Sequence, residues 1–225
     1  MVPVGDRRLG QKAAVVAAGA IAVGSLRRWS LRWGAADHEW SDTLPGDEIL
    51  SRVHLVSTRA ITIASRPADV WPWVAQLGQG RGGFYSYDAL ENLIGCQIHS
   101  ADAVIDDWQG IAVGDEVRLH PDIALNVSSV QPGHALVLRG AVPMGNVAPP
   151  YDMTWAFVVR ADAGGSTRLL VRERYQYRAW WAALVVEPVE LVSFLMSQRM
   201  LRGIKFRAEH PQDAMPTPAP AATGV

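Results

Sequence analysis

The sequence predicts an α+β fold, a curved antiparallel sheet wrapped around one long C-terminal helix with an internal cavity between them. Three observations predict it. An alternating strand, Leu55 to Ile63, leads straight into a Trp-rich helix start and a glycine-rich bend. A run of further alternating segments follows with short connections, which favours antiparallel pairing. A long apolar stretch near Pro188 to His210 then closes the unit with helical periodicity.

The elements follow in order. Pro67 suits a first helical turn, where its missing N–H costs nothing, with Ser65 as N-cap. Pro72 is expected to kink or restart that helix. Gly78 to Gly83 reverses the chain before an aromatic helix, Phe84 to Leu93. Asp115 to Leu119, Ile123 to Val130, Ala135 to Arg139, Met153 to Val159 and Arg168 to Tyr177 read as strands. Pro132-Gly133 and Gly164-Gly165 are the hairpin-type turns. Pro143 to Pro150, with three prolines and a glycine, is a loop placed as a lid at a cavity mouth.

Composition sets bounds on function. The chain has 225 residues, 49% apolar and 19% charged, enough for one domain with a sizeable core and extensions. Its 21 basic and 22 acidic residues give a formal net charge of -1, so no basic field points to nucleic acid. Cys96 is the single cysteine, which excludes an intrachain disulfide and a cysteine metal cage. Nine tryptophans are many for this length, and such clustering marks cavities, interfaces or membrane boundaries.

Residues 1–28 form a hydrophobic N-terminal segment. Its apolar run, residues 13–26, lies between Lys12 and Arg27-Arg28. As a helix that run spans ~21 Å, short of the roughly 20 residues that a bilayer core requires, although snorkelling by Lys12 and Arg27 narrows the gap. Three readings stand: a membrane anchor, a signal peptide with Arg7, Arg8 and Lys12 as its basic region, and a soluble helix or loose arm. Against the second, Arg27-Arg28-Trp29 occupies the place of the small residues that a cleavage site needs. Arg7, Arg8 and Lys12 balance Arg27, Arg28 and Arg32, so no orientation follows. The localisation expected is membrane-associated through residues 13–26, or cytoplasmic. Residues 29–54, with Trp29, Trp33 and Trp40, read as an irregular connector, residues 55–210 as the domain, and the Pro/Ala-rich residues 211–225 as a disordered tail.

Alternation along each strand assigns its faces. The inner rows are Met153, Trp155, Phe157 and Val159; Val117 and Leu119; Leu136 and Leu138; and Leu169, Val171, Glu173, Tyr175 and Tyr177. Glu173 breaks an otherwise apolar or aromatic row. A buried carboxylate must pair, coordinate or shift its pKa upward. It therefore reads either as a cavity acid/base or ligand hydrogen-bonder, partnered by Tyr175 or Tyr177, or as the mark of a register slip, a bulge or an Arg-paired residue at a solvated mouth. On the closing helix Val189, Val192, Met196, Met200 and Ile204 form the apolar stripe, which reads as core packing or as an adaptable Met-rich pocket wall. Trp71, from the Trp-rich helix, and Tyr85, beside Arg81, complete the candidate ligand-facing set; Arg81 is also expected to pair with Asp88.

Other motifs lead away from chemistry. Gly78, Gly80 and Gly83 match G-x-G-x-x-G, but a helix precedes them and the sheet is antiparallel, so the dinucleotide-binding context is missing. His99 and Asp102 lack further ligands at metal-binding spacing. No cofactor and no metal are expected.

The stretches LRWGAADHEW (31–40), LPGDE (44–48), TRAITIASRPADVWPWVAQLGQGRGGFYSYDALENLIGCQIHSAD (58–102), VGDEVRL (113–119), TWAFVV (154–159) and MLRGIKFRAE (200–209) resemble the SRPBCC superfamily. That superfamily includes START-type lipid-transfer domains, the birch-pollen-allergen type and polyketide cyclases. The resemblance covers about residues 31 to 209 and is closest to a bacterial branch often preceded by hydrophobic N-terminal segments. It implies a helix-grip fold with a deep cavity and fixes no single chemistry.

Two functions are therefore expected. The first is carriage or sensing of a hydrophobic small molecule, such as a lipid, isoprenoid or polyketide-like compound. The second is a cyclase- or dehydratase-type enzyme using Glu173 and Tyr175 as an acid–base pair. An interaction module with a filled interior is a third reading.

Overall fold

The computed structural model describes residues 18–19, 21–93, 95–142 and 148–210. The expected tail and most of the expected lid, residues 143–147, lie outside these, as does part of the apolar run 13–26. Among the described residues no helix is long and apolar enough to cross a membrane, so a transmembrane helix is not supported.

Among the described residues six strands form one antiparallel sheet in the order β1-β6-β5-β4-β3-β2. The strands are β1 (Leu55–Ile63), β2 (Glu116–His120), β3 (Ile123–Gln131), β4 (Ala135–Gly140), β5 (Tyr151–Ala161) and β6 (Thr167–Tyr177). Residues 21–31 form helix α1, Asp37–Ser41 α2, Pro67–Ala75 α3, Asp88–Leu93 α4 and Ala182–Glu209 α5. Helix α5 lies in the grip of the sheet, against β1, β6 and α3. The architecture is a helix-grip fold.

Register carries the inner face across the sheet. Leu136 pairs with Phe157, Phe157 with Val171, and Val171 with Arg59. One row on, Leu138 pairs with Trp155, Trp155 with Glu173, and Glu173 with Ser57. The next row is Gly140, Met153, Tyr175 and Leu55. These rows face α5 with the periodicity of two that strands impose.

Several boundaries differ from the sequence expectation. Helix α5 begins at Ala182 and runs through Pro188. The carbonyl that Pro188 leaves without an N–H belongs to Leu184, an exposed residue where water can serve as donor. Helix α3 likewise continues through Pro72. Its N-cap is Arg66, because the Ser65 hydroxyl donates instead to the Ala208 carbonyl of α5 at 2.8 Å. The aromatic helix shortens to α4, since Tyr85 takes a left-handed backbone at φ 55° that a helix cannot contain. Gly78 and Gly83 exchange two backbone hydrogen bonds at 3.0 Å, which makes the glycine stretch a tight reversal. Arg81 does not reach Asp88; it donates to the carbonyls of Ala75 and Trp108, while Asp88 accepts from the Ser100 N–H and hydroxyl.

Within residues 29–54, the stretch 34–47 is packed as a strap over the outer face of the sheet, whereas Ser30, Leu31 and Trp33 lie against Arg59 and the inner clusters. Leu44 sits on Ala60, Ala135, Val158 and Leu170. Arg172, buried on that face, donates to Asp47 Oδ2 at 2.6 Å, to the carbonyls of Glu39, Trp40 and Asp42, and to Thr58 Oγ1. Arg168 clamps Glu39 through two nitrogens at 2.6 and 2.7 Å. The strap needs glycine at one crossing: a Cβ on Gly34, whose φ is +73°, would stand 2.1 Å from the Ala60 carbonyl oxygen. Both faces of the sheet are thus covered, and the inner one is left to α5 and whatever else the grip holds.

Candidate functional site

The interior of the grip divides into two halves. In the lower half Trp73, Phe84 and Tyr85 pack with Leu136, Leu138, Phe157 and Val171 against Leu201 and Ile204 of α5, leaving a filled core. In the upper half the side chains do not meet. There a cavity of about 290 Å³ opens between β2, β3, β5 and β6, helix α5 and the segment from Phe84 to Ile98. That is close to the lower end of the range for small-molecule sites. Its walls are almost wholly apolar.

Of the residues expected to face a ligand, Leu119, Met153, Trp155, Glu173, Tyr175, Val192, Met196 and Met200 line this cavity. The others do not. Leu136, Leu138, Phe157 and Val171 share the correct face but belong to the filled half. Tyr85 is buried there too, accepting from Gln76 Nε2 at 2.9 Å, with its hydroxyl pushed to a high pKa by that burial. Trp71 packs on the rim of the same core. Tyr177 lies beyond the cavity, stacked on His54 with its hydroxyl donated to Glu187. Alternation gives the face of a side chain but not its height along the strand, and height decides between core and cavity.

The structure adds Phe84, Glu91, Cys96, Ile98, Leu125, Tyr151, Ser193 and Ser197 to the lining. Aromatic walls stand close together: Phe84 and Trp155 have centroids 5.8 Å apart, Tyr151 and Tyr175 5.7 Å. At the mouth, Val189 and Val192 are 49% and 59% exposed. The stripe of α5 that is fully buried is offset from theirs and contains Val186, Glu190, Ser197, Leu201 and Ile204. Two polar residues within that stripe hid it from a periodicity reading.

Those polar residues belong to a buried ionic cluster at the wall of the cavity. Arg59, wholly buried on β1, donates from Nη1 to Glu173 Oε1 at 3.1 Å and from Nη2 to Glu190 Oε1. Its Nε donates to the Ser30 carbonyl at 3.2 Å. Glu173 Oε1 also accepts from the hydroxyls of Ser193 at 2.6 Å and Ser197 at 3.2 Å, and Oε2 from Tyr175 at 3.0 Å. A carboxylate has about four lone-pair positions; here three donors crowd Oε1 and one sits on Oε2, which leaves one position of Oε2 open. Burial, reinforced by the neighbouring Glu173 charge, holds the Tyr175 hydroxyl far above its usual pKa, so it remains a donor. Burial also raises the Glu190 carboxyl, against the pull of Arg59.

Two other polar atoms in the cavity wall have no partner among the described residues. They are the indole Nε1 of Trp155 and Oε2 of Glu91, both buried. Burial, with a smaller contribution from Asp88, lifts the Glu91 carboxyl to about 7. Burial likewise raises the Cys96 thiol beside it, which makes it a poor nucleophile. Among the described residues no group of three His, Cys, Asp or Glu is placed to hold a metal ion.

A larger depression of about 760 Å³ lies between α3 and the end of α5. Its charged groups are engaged with one another or with backbone: Arg66 with Asp69, Arg207 with Asp102, Glu209 with Lys205 and the Ala64 N–H. It is an open surface groove with its polar groups satisfied, and the smaller apolar cavity is the better candidate.

The chain matches no protein-family model and no curated protein. Among solved structures it is similar to the Zhui aromatase/cyclase from Streptomyces sp. R1128, with 16% identity, 76% of this chain and 99% of that chain covered, and a TM-score of 0.45. It is similar to norcoclaurine synthase from Thalictrum flavum, with 14% identity, 73% and 91% covered, and a TM-score of 0.42. A third is the hypothetical protein jhp0584 from Helicobacter pylori, with 12% identity, 74% and 95% covered, and a TM-score of 0.45. Likeness at these values concerns the course of the chain and says nothing about ligand or reaction.

Proposed function

We propose that the chain is a helix-grip domain of the SRPBCC type that binds an apolar, largely aromatic-faced small molecule in the upper half of the grip, as a carrier or sensor. The observation that carries this reading is the division of the interior. The same sheet and helix that pack to completion around Phe157 leave an apolar space above it, walled by Phe84, Trp155, Tyr151 and Tyr175. Protein interiors are otherwise close-packed, so a void of this size with a soft, Met-containing wall supports a role in holding something.

Ligand that binds only the folded state stabilises it by mass action, by about 2.7 kcal/mol at a hundred times Kd. The full-length protein melted with and without excess N-phenyl-1-naphthylamine, a neutral aromatic probe, is expected to show a saturable rise in Tm. An unchanged Tm at saturating probe, with no fluorescence change, contradicts the reading.

A second reading, an acid–base enzyme of the cyclase or dehydratase type, has one observation in its favour: the Tyr175 hydroxyl donates to Glu173 at the cavity wall. The four donors already on Glu173 weigh against it, since they leave only one lone-pair position, on Oε2, to meet a substrate proton. Full turnover of an identified substrate by Glu173→Gln removes this reading.

A further inference from the structure

The charge around the cavity is one-sided. Among the described residues of the lining, Glu91 and Glu173 are acidic and none is Lys, Arg or His. The cation that holds Glu173 is Arg59, which is wholly buried, does not line the cavity and is shared with Glu190. Arg27, the other cation that acts on Glu190, is bonded to Glu187. Arg59 and Arg27 thus serve Glu173, Glu187 and Glu190, and one negative charge is left over. Glu91 adds to the excess. It is 7% exposed, and its carboxyl makes no hydrogen bond among the described residues. The charge that acts on it is that of Asp88, another carboxylate.

We infer that the cavity takes a ligand whose aromatic body carries an ammonium group, and selects it over its neutral and anionic counterparts through the uncompensated carboxyls in and behind the wall. This inference rests on the binding function proposed above.

A carboxylate without a partner in an apolar interior is costly, and a nearby cation offsets that cost. Burial that no cation offsets is also what raises the carboxyls of Glu91 and Glu190. Direct contact is not required for the selection, since opposite charges attract over several ångströms where water is excluded. Acceptors for the ammonium N–H groups are nonetheless present. Glu173 keeps one open position on Oε2, and Glu91, whose Oε2 is enclosed by protein, keeps Oε1. The rings of Phe84, Tyr151, Trp155 and Tyr175 share the lining, and the face of an aromatic ring attracts a cation within about 6 Å of its centroid. A ligand carboxylate meets only like charge. Desolvation opposes ammonium and carboxylate alike, so the difference between them reports the sign of the field.

The test is calorimetric titration of the full-length protein at pH 8 with three naphthalenes of matched shape: 2-naphthylmethylamine, an ammonium at this pH, 2-naphthylmethanol and 2-naphthoate. The ammonium is expected to bind at least tenfold more tightly than the alcohol, with naphthoate weakest. Glu91→Gln and Glu190→Gln test the cause. Glu91 has no side-chain bond to lose, and a glutamine side chain at position 190 keeps an oxygen for Arg59, so both variants are expected to melt like the wild type. Glu190 does not line the cavity, so a change there reads charge rather than contact. Each substitution is expected to lower the ammonium-to-alcohol ratio at least threefold, and the two together to bring it within about threefold of unity. A wild-type ratio of one or less, or a ratio that survives the double substitution, overturns the charge selection and leaves apolar binding standing. If none of the three compounds binds, the binding function itself fails and this inference with it.

Discussion

Replacing Arg59 by methionine is expected to cost about 3–5 kcal/mol of stability at neutral pH, the scale for removing one partner of a buried ion pair. Methionine fills much of the same volume, so the loss comes from charge. Arg59 is the cation between Glu173 and Glu190, and all three are buried. Without it two carboxyls face each other in a low-dielectric interior, and both are pushed toward the protonated state. The sign of the pH dependence follows. A carboxyl whose folded pKa is raised lowers stability as pH climbs from its unfolded value through its folded one, so the deficit of Arg59→Met grows with pH and shrinks below about pH 5. Adding Glu173→Gln and Glu190→Gln removes the uncompensated charges and keeps acceptors for Ser193, Ser197 and Tyr175. Most of the lost stability is expected to return. Denaturant unfolding at pH 5 and pH 8 checks both points. A loss below about 1 kcal/mol, or one independent of pH, contradicts the assignment of Arg59 as the charge that holds the cavity wall.

Arg172→Met is expected to produce the second large loss, again about 3–5 kcal/mol, from the opposite face of the sheet. Arg172 ties the strap down by five hydrogen bonds, three of them to backbone carbonyls of Glu39, Trp40 and Asp42. Its removal leaves Asp47 without its shortest partner and the carbonyls without donors. Arg174 still reaches Asp47 at 3.4 Å, which moderates the effect on that carboxylate. Local release is expected before global unfolding, because the strap meets the sheet through a small cluster around Leu44. Faster amide hydrogen exchange between Asp42 and Asp47, with β5 and β6 still protected, is the signature. Unchanged exchange in the strap contradicts its dependence on Arg172.

The two arginines also show how far the sequence could be read. The antiparallel pairing of successive strands and the inner face of β4, β5 and β6 follow from alternation and short connections, and the paired rows through Phe157 and Trp155 match that reading, whereas the place of β1 beside β6 does not follow from them. The exception at Glu173 was visible as well. Its partner was not singled out, although Arg59 has the parity of Leu55, Ile61 and Ile63 on β1. Pairing the two required the β1–β6 register, which no local pattern supplies. On α5 the apolar stripe Val189, Val192, Met196, Met200 and Ile204 is buried at Met200 and Ile204, whereas further toward the N-terminus the buried positions are Val186, Glu190, Phe194 and Ser197. Residues that bury charge against charge invert the usual meaning of polarity along a helix. Glu91 lies on the short helix α4 and Cys96 just after it, and only the fold brings both into one lining with Trp155. The strap is legible as non-periodic chain; its attachment depends on Arg168 and Arg172, whose parity opposite Leu169 and Val171 gives the outer face but names no partner.

The central claim is that the upper half of the grip is a binding cavity. Its most direct test is calorimetric titration of N-phenyl-1-naphthylamine into the wild-type protein and into Met196→Trp, a substitution that puts a large ring into the cavity from α5. The expected result is one site per chain in the wild type and at least a tenfold loss of affinity in the variant, with the variant still melting cooperatively. Binding of equal strength and stoichiometry in both proteins would place the ligand elsewhere, and no binding in either would mean that the space above Phe157 is not a ligand site.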